Sequence, residues 1–205
     1  IAKLFRKKPI VCFYAHEELD YEVFKNLHKL LPFIEIIAAN SKLARKLYNK
    51  YEITAKPYPH FPDVLIMARH SLHKFPMANI KKIGMRHGPY HFKNFISAEK
   101  YNKFDMFLFT SEREVEEAKA LGIRVAECGG FPKSDSLFDS ELKSQAISEK
   151  EKIFGNSKPT LLFSSTWYKS GLSGVSYWYE RVSELSDSYN ILVTLHPWTD
   201  KKYVE

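Results

Sequence analysis

Short apolar runs recur along the chain and are separated by segments that carry more charge. The runs are rich in β-branched and aromatic residues, a pattern that is typical of strands buried on both faces of a sheet. "PIVCFYA" (Pro9–Ala15) is a clear example. We predict strands at residues 9–15, 33–39, 63–68, 81–86, 105–111, 124–130, 159–165 and 190–197.

The segments between these runs show helical spacing. In Tyr21–Leu31 the apolar residues fall on one face of a helix. Asn40 is a predicted N-cap for the next helix. Ser111 and Glu114 form a predicted capping box for a third helix, which stops at Gly122. Two further helices are predicted at residues 141–155 and 177–188.

Alternation of buried strands with helices predicts an α/β fold, with parallel sheets covered by helices. The segment Gly129–Ser140 follows the sixth strand and combines two glycines, a proline and several small polar residues. We therefore predict one domain over residues 1–135 and a second over residues 136–205. The second is shorter than the roughly 100–150 residues of a typical domain, so we expect it to be truncated.

Composition excludes several broad classes. A chain of 205 residues with 44% hydrophobic and 15% aromatic residues is not disordered as a whole. No apolar run approaches the roughly 20 residues that span a bilayer, and no signal-peptide pattern opens the chain. Cys12 and Cys128 lie in strand-like runs and are predicted to be buried thiols in a reducing compartment. We therefore expect a cytoplasmic protein.

Charge is distributed unevenly along the chain. Residues 1–105 contain 19 Lys+Arg and 9 Asp+Glu, a net charge of +10, and the remaining residues contain 12 and 15, a net charge of −3. The basic half would attract nucleic acid, anionic lipid or a phosphorylated substrate. Composition alone leaves these three open.

Basic and titratable side chains concentrate in one stretch, "KKIGMRHGPYHFKN". They include Lys82, Arg86, His87, His91 and Lys93. Ligands of open parallel sheets bind outside the carboxyl ends of the strands, and His87-Gly88 follows the predicted strand of this stretch. His87 could accept a proton at neutral pH, Gly88 would allow close approach of a ligand, and Arg86 and Lys93 could neutralise phosphate. The alternative is a surface histidine in a basic loop.

Other polar groups follow predicted strands in the same way. They are Thr110-Ser111, Gly129–Asp135, Ser164–Trp167 and His196-Pro197. Each also has a structural explanation, as a helix cap, a turn or a hydrogen-bonded strand end. His70 and His73 have i, i+3 spacing, but no neighbouring cysteine or carboxylate cluster completes a metal site. The sequence contains neither GxxxxGK[ST] nor GxGxxG, and no nucleic-acid-binding motif.

Five of these pieces, taken in order, resemble the CDP-glycerol glycerophosphotransferase family, the teichoic-acid polymerases. They are "MRHGPYHFK", "KFDMFLFTSE", "GFPKSDSLF", "LLFSSTWYKSG" and "VTLHP". The resemblance extends from about Lys81 to Pro197 and implies a GT-B fold, in which two Rossmann-like domains face a cleft. It also implies a peripheral enzyme at the inner face of the membrane, with an anionic membrane surface as a partner.

The resemblance further implies transfer of glycerol phosphate from CDP-glycerol, or another nucleotide-activated donor, to a polyol-phosphate or lipid-linked acceptor. By resemblance, His87 deprotonates the acceptor hydroxyl and His196, across the cleft, stabilises the diphosphate. It requires no metal or other cofactor, and no nucleic-acid partner is expected. The implied substrate-binding residues are Arg86, Gly88, Lys93, Ser111, Pro132, Lys133, Asp135, Ser165, Thr166, Trp167 and Pro197.

The sequence departs from the family pattern at several positions. Lys133 stands where arginine is usual and loses bidentate phosphate geometry. Ser134 replaces a common asparagine and Ser165 replaces a common proline. The 205-residue sequence ends before the place where the family has a later acidic-serine element. Two alternatives stay open: a nucleotide-sugar glycosyltransferase or UDP-sugar 2-epimerase-like enzyme, and a non-catalytic module that binds anions.

Overall fold

A computed structural model of the protein describes residues 8–88, 97–196 and 198–203. Contacts within the chain divide it into two units, Ile1–Asp139 and Ser140–Glu205. The division falls inside the predicted boundary segment, four residues after the predicted position of 135. No helix among the described residues is both long enough and apolar enough to cross a membrane.

Within the described part of the first unit, seven strands form one sheet in the order β3-β2-β1-β4-β5-β6-β7. All of its strand pairs are parallel, which confirms the predicted α/β class with a parallel sheet. The strands are β1 (Val11–Ala15), β2 (Glu35–Ala38), β3 (Ala55–Pro57), β4 (Val64–Met67), β5 (Lys81–Met85), β6 (Met106–Phe109) and β7 (Ala126–Cys128). The short outer strand β3 was not predicted, because its three residues include a lysine and a proline and so do not form an apolar run.

The α-helices described in this unit are α1 (Glu18–Leu30), α2 (Ser41–Tyr51), α3 (Ala98–Tyr101) and α4 (Glu112–Ala120). The prediction of α1, α2 and α4 is confirmed, whereas the single turn α3 was not predicted. The predicted caps are confirmed, because Asn40 Oδ1 accepts from Leu43 N at 2.9 Å and Ser111 Oγ accepts from Glu114 N at 3.2 Å. The Glu114 carboxylate, however, accepts from Thr110 N and not from the N-cap itself, so the predicted capping box is only half formed.

Two apolar clusters cover the two faces of the sheet. Successive residues of β1 alternate between them: Cys12 and Tyr14 belong to one cluster, and Phe13 and Ala15 belong to the other. Phe13 stacks on Phe24 of α1 with ring centroids 4.1 Å apart. Burial of both faces explains the near absence of charge in this strand.

Gly84 occupies a crowded position in β5. It pairs with Phe107 of β6, and a Cβ atom at residue 84 would stand 2.2 Å from the Phe107 ring. Glycine therefore makes room for the aromatic ring in the sheet.

Cys12 is fully buried, as predicted, whereas Cys128 is exposed, and the two thiols are free. The prediction that Cys128 is buried is wrong because β7 is an outer strand of the sheet.

In the second unit, the described strands β8 (Thr160–Ser164) and β9 (Asn190–Thr194) form a parallel pair. Helix α5 (Ser140–Phe154) contains no buried residue. The predicted helix at residues 177–188 is wrong: the chain forms a single turn, α6 (Val175–Trp178), and then a 3₁₀ turn (Val182–Leu185).

Aromatic contacts explain why that helix does not form. Trp178 packs on Phe163 of β8 with ring centroids 5.1 Å apart, and Tyr179 instead contacts Tyr203 at 4.8 Å. Tyr177 is 86% exposed. A continuous helix would need one shared buried face, which these side chains do not provide.

Candidate active site

A cavity of about 250 Å³ lies where β4 and β5 end, beside Phe107 of β6 and Tyr101 of α3. Strands β4 and β5 are adjacent, so the residues that follow them converge although they are far apart in sequence. The cavity is lined by Ala68, Arg69, His70, Met85, Arg86, His87, Tyr101 and Phe107. Its position matches the place where open parallel sheets bind ligands.

His87 lies at this cavity with its imidazole exposed. Its Nδ1 is 3.3 Å from the carbonyl oxygen of Ala68, which follows β4. A carbonyl oxygen can only accept, so Nδ1 must carry the hydrogen in this contact. In the neutral ring Nε2 then holds the lone pair, which is the tautomer that a base needs.

Arg86 precedes His87 in the chain and is almost fully buried. Its Nη2 is 3.7 Å from Glu114 Oε1, and its guanidinium carbon is 5.0 Å from the centroid of the Phe109 ring. Glu114, which is 2% exposed, also accepts hydrogen bonds from Thr110 N at 2.9 Å and Thr110 Oγ1 at 2.6 Å. Arg86 therefore forms the wall of the cavity within an ion pair that joins the end of β5 to the start of α4.

His70 also lines the cavity. From the sequence it was considered only as a possible metal ligand. Its ring lies parallel to Phe107 at 5.5 Å and meets Tyr101 edge-on at 4.8 Å. Burial, with the positive charges of Arg86 and Lys100, lowers the pKa of His70 and so favours its neutral form. Its Nδ1 is buried and has no hydrogen-bond partner in the part of the chain that the structure describes. The sequence signal that could have identified His70 is its position three residues after β4.

A second charged cluster borders the cavity where β1 ends. Asp20, 1% exposed, accepts from His16 N at 2.8 Å, Glu17 N at 3.1 Å and Arg69 Nε at 2.7 Å. Burial raises the pKa of Asp20, while these donors stabilise its ionised form. The carboxylate thereby holds Arg69, which also pairs with Glu17, at the rim of the cavity.

Lys74 adds a further positive charge near this cluster. Its Nζ lies 2.7 Å from the hydroxyl oxygen of Tyr14, the penultimate residue of β1. Partial burial and then the charges of Lys74 and Arg69 lower the pKa of His16. This cluster could not be predicted from the sequence, because Asp20 lies in α1 after β1, whereas Arg69 and Lys74 follow β4.

Other predicted site residues of the first unit lie around helix ends and turns. Ser111 caps α4, and the carbonyl oxygen of Pro132 accepts from Asn26 Nδ2 at 2.9 Å. Lys133 and Asp135 are exposed in the 3₁₀ helix Pro132–Phe138. Gly88 is half-buried beside His87. Lys93 lies outside the described residues.

Two predicted site residues of the second unit, Trp167 and His196, share one neighbour. Trp198 lies 5.8 Å from Trp167 and 5.3 Å from His196 between ring centroids. His196 Nδ1 accepts from Trp198 N at 3.1 Å, so Nε2 of the neutral ring carries the hydrogen and can donate it. Pro197 lies outside the described residues.

The segment before Trp167 is fixed by short hydrogen bonds. Ser165 Oγ is 2.6 Å from Ser173 Oγ and donates to the carbonyl oxygen of Thr166 at 2.9 Å. Ser165 N donates to the carbonyl oxygen of Thr194, the last residue of β9. Thr166 is exposed. The segment after β8 is thus tied to the end of β9, where His196 follows.

Comparison with known proteins finds similarity in structure alone. No protein-family model matches the sequence, and no curated protein matches it significantly. A solved structure of the wall teichoic acid polymerase TagF matches with a TM-score of 0.57 and 13% identity over 93% of this chain. A TagF variant with one histidine changed to alanine gives 0.58 and 12% over 94%.

A third TagF structure, with one histidine changed to asparagine and soaked with CDPG, gives a TM-score of 0.55 and 12% identity over 92% of this chain. The chain spans 56–57% of the length of these polymerases. At such low identity the likeness shows the fold. The chain shares the α/β fold of a wall teichoic acid polymerase.

Proposed function

We propose that this chain belongs to a transferase that moves glycerol phosphate, or a similar alditol phosphate, from a CDP-activated donor to a polyol-phosphate or lipid-linked acceptor in cell-wall or surface polymer synthesis. The observation that carries the proposal is the contact between His87 Nδ1 and the Ala68 carbonyl oxygen, which leaves Nε2 as a base beside a cavity. The fold shared with TagF supports the reaction class, and the TagF structure soaked with CDPG supports the kind of donor.

In the proposed reaction, Nε2 of His87 takes the proton of the acceptor hydroxyl. The acceptor oxygen then forms a bond to the phosphorus that carries glycerol, and the bond from that phosphorus to the bridging oxygen breaks. The bridging oxygen keeps the electron pair and leaves as part of CMP. Transfer of this kind depends mainly on positioning and charge stabilisation.

His196 is the proposed donor to the diphosphate. Its Nε2–H follows from the hydrogen bond that Nδ1 accepts from Trp198 N. An N–H aimed at a phosphate oxygen would stabilise the negative charge that develops on the leaving group. Trp198 is 69% exposed and offers a flat surface for the cytosine base, because aromatic side chains stack with nucleobases.

Arg69 and Lys74 are the proposed contacts for an anionic acceptor. Both positive side chains are held at the carboxyl end of the sheet, by Asp20 and by the hydroxyl of Tyr14 respectively. A polyol-phosphate acceptor carries a row of negative charges, which such side chains would attract. The net charge of +10 in residues 1–105 is consistent with this substrate.

Donor choice tests the proposal. Thermal shift and release of free nucleotide should be measured with CDP-glycerol, CDP-ribitol and several UDP-sugars, with a lipid-linked glycerol phosphate as acceptor. We expect CDP-glycerol or CDP-ribitol to stabilise the protein and to release CMP. A preference for UDP-sugars would support a glycosyltransferase or epimerase instead, and salt-sensitive binding of many polyanions without nucleotide preference would indicate a binding module.

A matched pair of variants tests whether CMP release depends on His196. His196→Gln should slow CMP release because it removes the proposed donor. His28→Gln is the control, since His28 lies near the end of α1 and lines a different cavity, with Ile34 and Glu35. Equal loss in both variants would contradict the assignment of His196.

A further inference from the structure

Three potential metal ligands meet at the amino end of the first unit's sheet, away from the proposed reaction. Cys12 and Glu35 are side by side because they are register partners in β1 and β2. His60 follows β3 and lies next to them. Their ligand atoms, one sulfur, one carboxylate oxygen and one ring nitrogen, all lie within 4.8 Å of one another.

The separations are close to those of a metal centre. Cys12 Sγ is 3.9 Å from Glu35 Oε2, and His60 Nε2 is 3.5 Å from the same oxygen. Tetrahedral zinc, with metal–ligand bonds of about 2.0–2.3 Å, places neighbouring ligand atoms roughly 3.4–3.6 Å apart. Small side-chain adjustments would therefore bring the three atoms onto one ion.

The ligand types select the kind of ion. A thiolate and an imidazole favour zinc and related transition metals, whereas magnesium and calcium prefer sites made of oxygen atoms. A single carboxylate beside sulfur and nitrogen is an ordinary zinc ligand. The set therefore fits Zn²⁺, or Co²⁺ as its spectroscopic substitute.

Two polar atoms of this cluster lack well-formed hydrogen bonds to the described residues of the protein. His60 Nε2 is buried, and its contact with Glu35 Oε2 at 3.5 Å is too long for a well-formed hydrogen bond. The contact from the Cys12 thiol to Glu35 is long for a hydrogen bond. Glu35 Oε2 is neutralised by Lys56 Nζ at 2.7 Å, on a side chain that is 47% exposed. A lysine with such exposure can move aside at little cost.

Access to the cluster is available from solvent. Glu35 and Lys56 also line a cavity of about 350 Å³ formed between the end of α1 and the start of β2. Movement of Lys56 would open the carboxylate to an incoming ion, and a water molecule could complete a tetrahedral set.

We propose that Cys12, Glu35 and His60 form a binding site for one Zn²⁺-class ion that links β1, β2 and the segment after β3. The ion takes the place of the Lys56 ammonium as the positive partner of Glu35. Binding releases the thiol proton, because a coordinated cysteine is a thiolate. The site is structural and independent of the proposed transfer reaction.

The test uses the reduced, metal-free chain with Zn²⁺ and Co²⁺ as probes. Competition against a chromophoric chelator gives affinity and stoichiometry, and Co²⁺ reports sulfur ligation through its thiolate-to-metal charge-transfer absorption. We expect one ion per chain, a Co²⁺–thiolate band and a higher Tm with Zn²⁺. Absence of the band, or binding without a single stoichiometric site, would overturn the proposal.

Variants locate the ion. Cys12→Ser and His60→Ala should each weaken Zn²⁺ binding by at least about tenfold, and Cys12→Ser should also abolish the Co²⁺ band. The matched control is Cys128→Ser, because Cys128 is an exposed thiol on β7. Loss of binding in Cys128→Ser, or unchanged binding in His60→Ala, would overturn the proposal. If Cys12→Ser does not fold, His60→Ala decides alone.

Lys56→Ala gives an independent prediction. Since the ammonium and the ion compete for Glu35, this variant should bind Zn²⁺ more tightly than the unmodified chain does. Weaker binding in Lys56→Ala would contradict the proposed exchange.

Discussion

Replacing Glu114 with alanine should lower the free energy of unfolding by about 3–5 kcal/mol, because it removes one partner of a buried ion pair. Glu114 and Arg86 are 2% and 9% exposed, so little water can replace the lost carboxylate. The same change removes two hydrogen bonds that Glu114 accepts from Thr110, at 2.9 and 2.6 Å. Each bond to a charged group contributes about 1.5–3 kcal/mol, and the contributions are not additive.

The assay must report on the first unit. All three tryptophans lie in the second unit, so tryptophan fluorescence is unsuitable and unfolding should be followed by far-UV circular dichroism, to which the seven-stranded sheet and helices of the first unit contribute. A loss of 3–5 kcal/mol corresponds to a decrease in Tm of roughly 6–20 °C for a chain of this size.

Glu112→Ala is the matched control. Glu112 occupies the same first turn of α4, so it interacts with the helix dipole in a similar way, but its side chain is exposed. We expect a loss below about 0.5 kcal/mol for this variant. If Glu114→Ala were no more destabilising than Glu112→Ala, the reasoning that this ion pair secures the cavity wall would be refuted.

Three further predictions concern other positions. Gly84→Ala should cost about 1–3 kcal/mol in urea unfolding, because the new Cβ would meet the Phe107 ring; an unchanged midpoint would contradict the packing. Lys46 and then Lys50 lower the pKa of Glu18 to about 2, so Glu18→Gln should cost about 0.5–1 kcal/mol above pH 5. That cost should fade as pH decreases from 4.5 to 2, and a pH-independent cost would refute it. A thiol reagent should label exposed Cys128 quickly and buried Cys12 slowly; equal rates would contradict the burial.

The sequence predicted those features of the fold that depend on neighbouring residues. The continuous burial of β1 and the caps at Asn40 and Ser111 are local consequences of side-chain type. The same reasoning failed for residues 177–188, where spacing indicated a helix but Trp178 and Tyr179 pack against partners remote in sequence. In this segment, contacts with residues remote in sequence outweigh the helical spacing of the apolar residues.

The candidate site was predicted in part for the same reason. His87 could be placed because it directly follows a recognisable strand. The bond between Asp20 and Arg69 joins residues 49 positions apart, and the strand order that brings β1 beside β4 cannot be read from spacing alone. The burial of His70 depends similarly on Phe107 and Tyr101, which are remote from it in sequence.

The central claim is that His87 is the base of a CDP-alditol transferase, and the rate of transfer in the His87→Ala variant tests it most directly. CMP release from CDP-glycerol should be measured at saturating donor and acceptor, after circular dichroism has shown that the variant is folded. Loss of a general base predicts a decrease in kcat of about 10²–10⁴-fold. A folded His87→Ala protein that retains full activity would contradict the account.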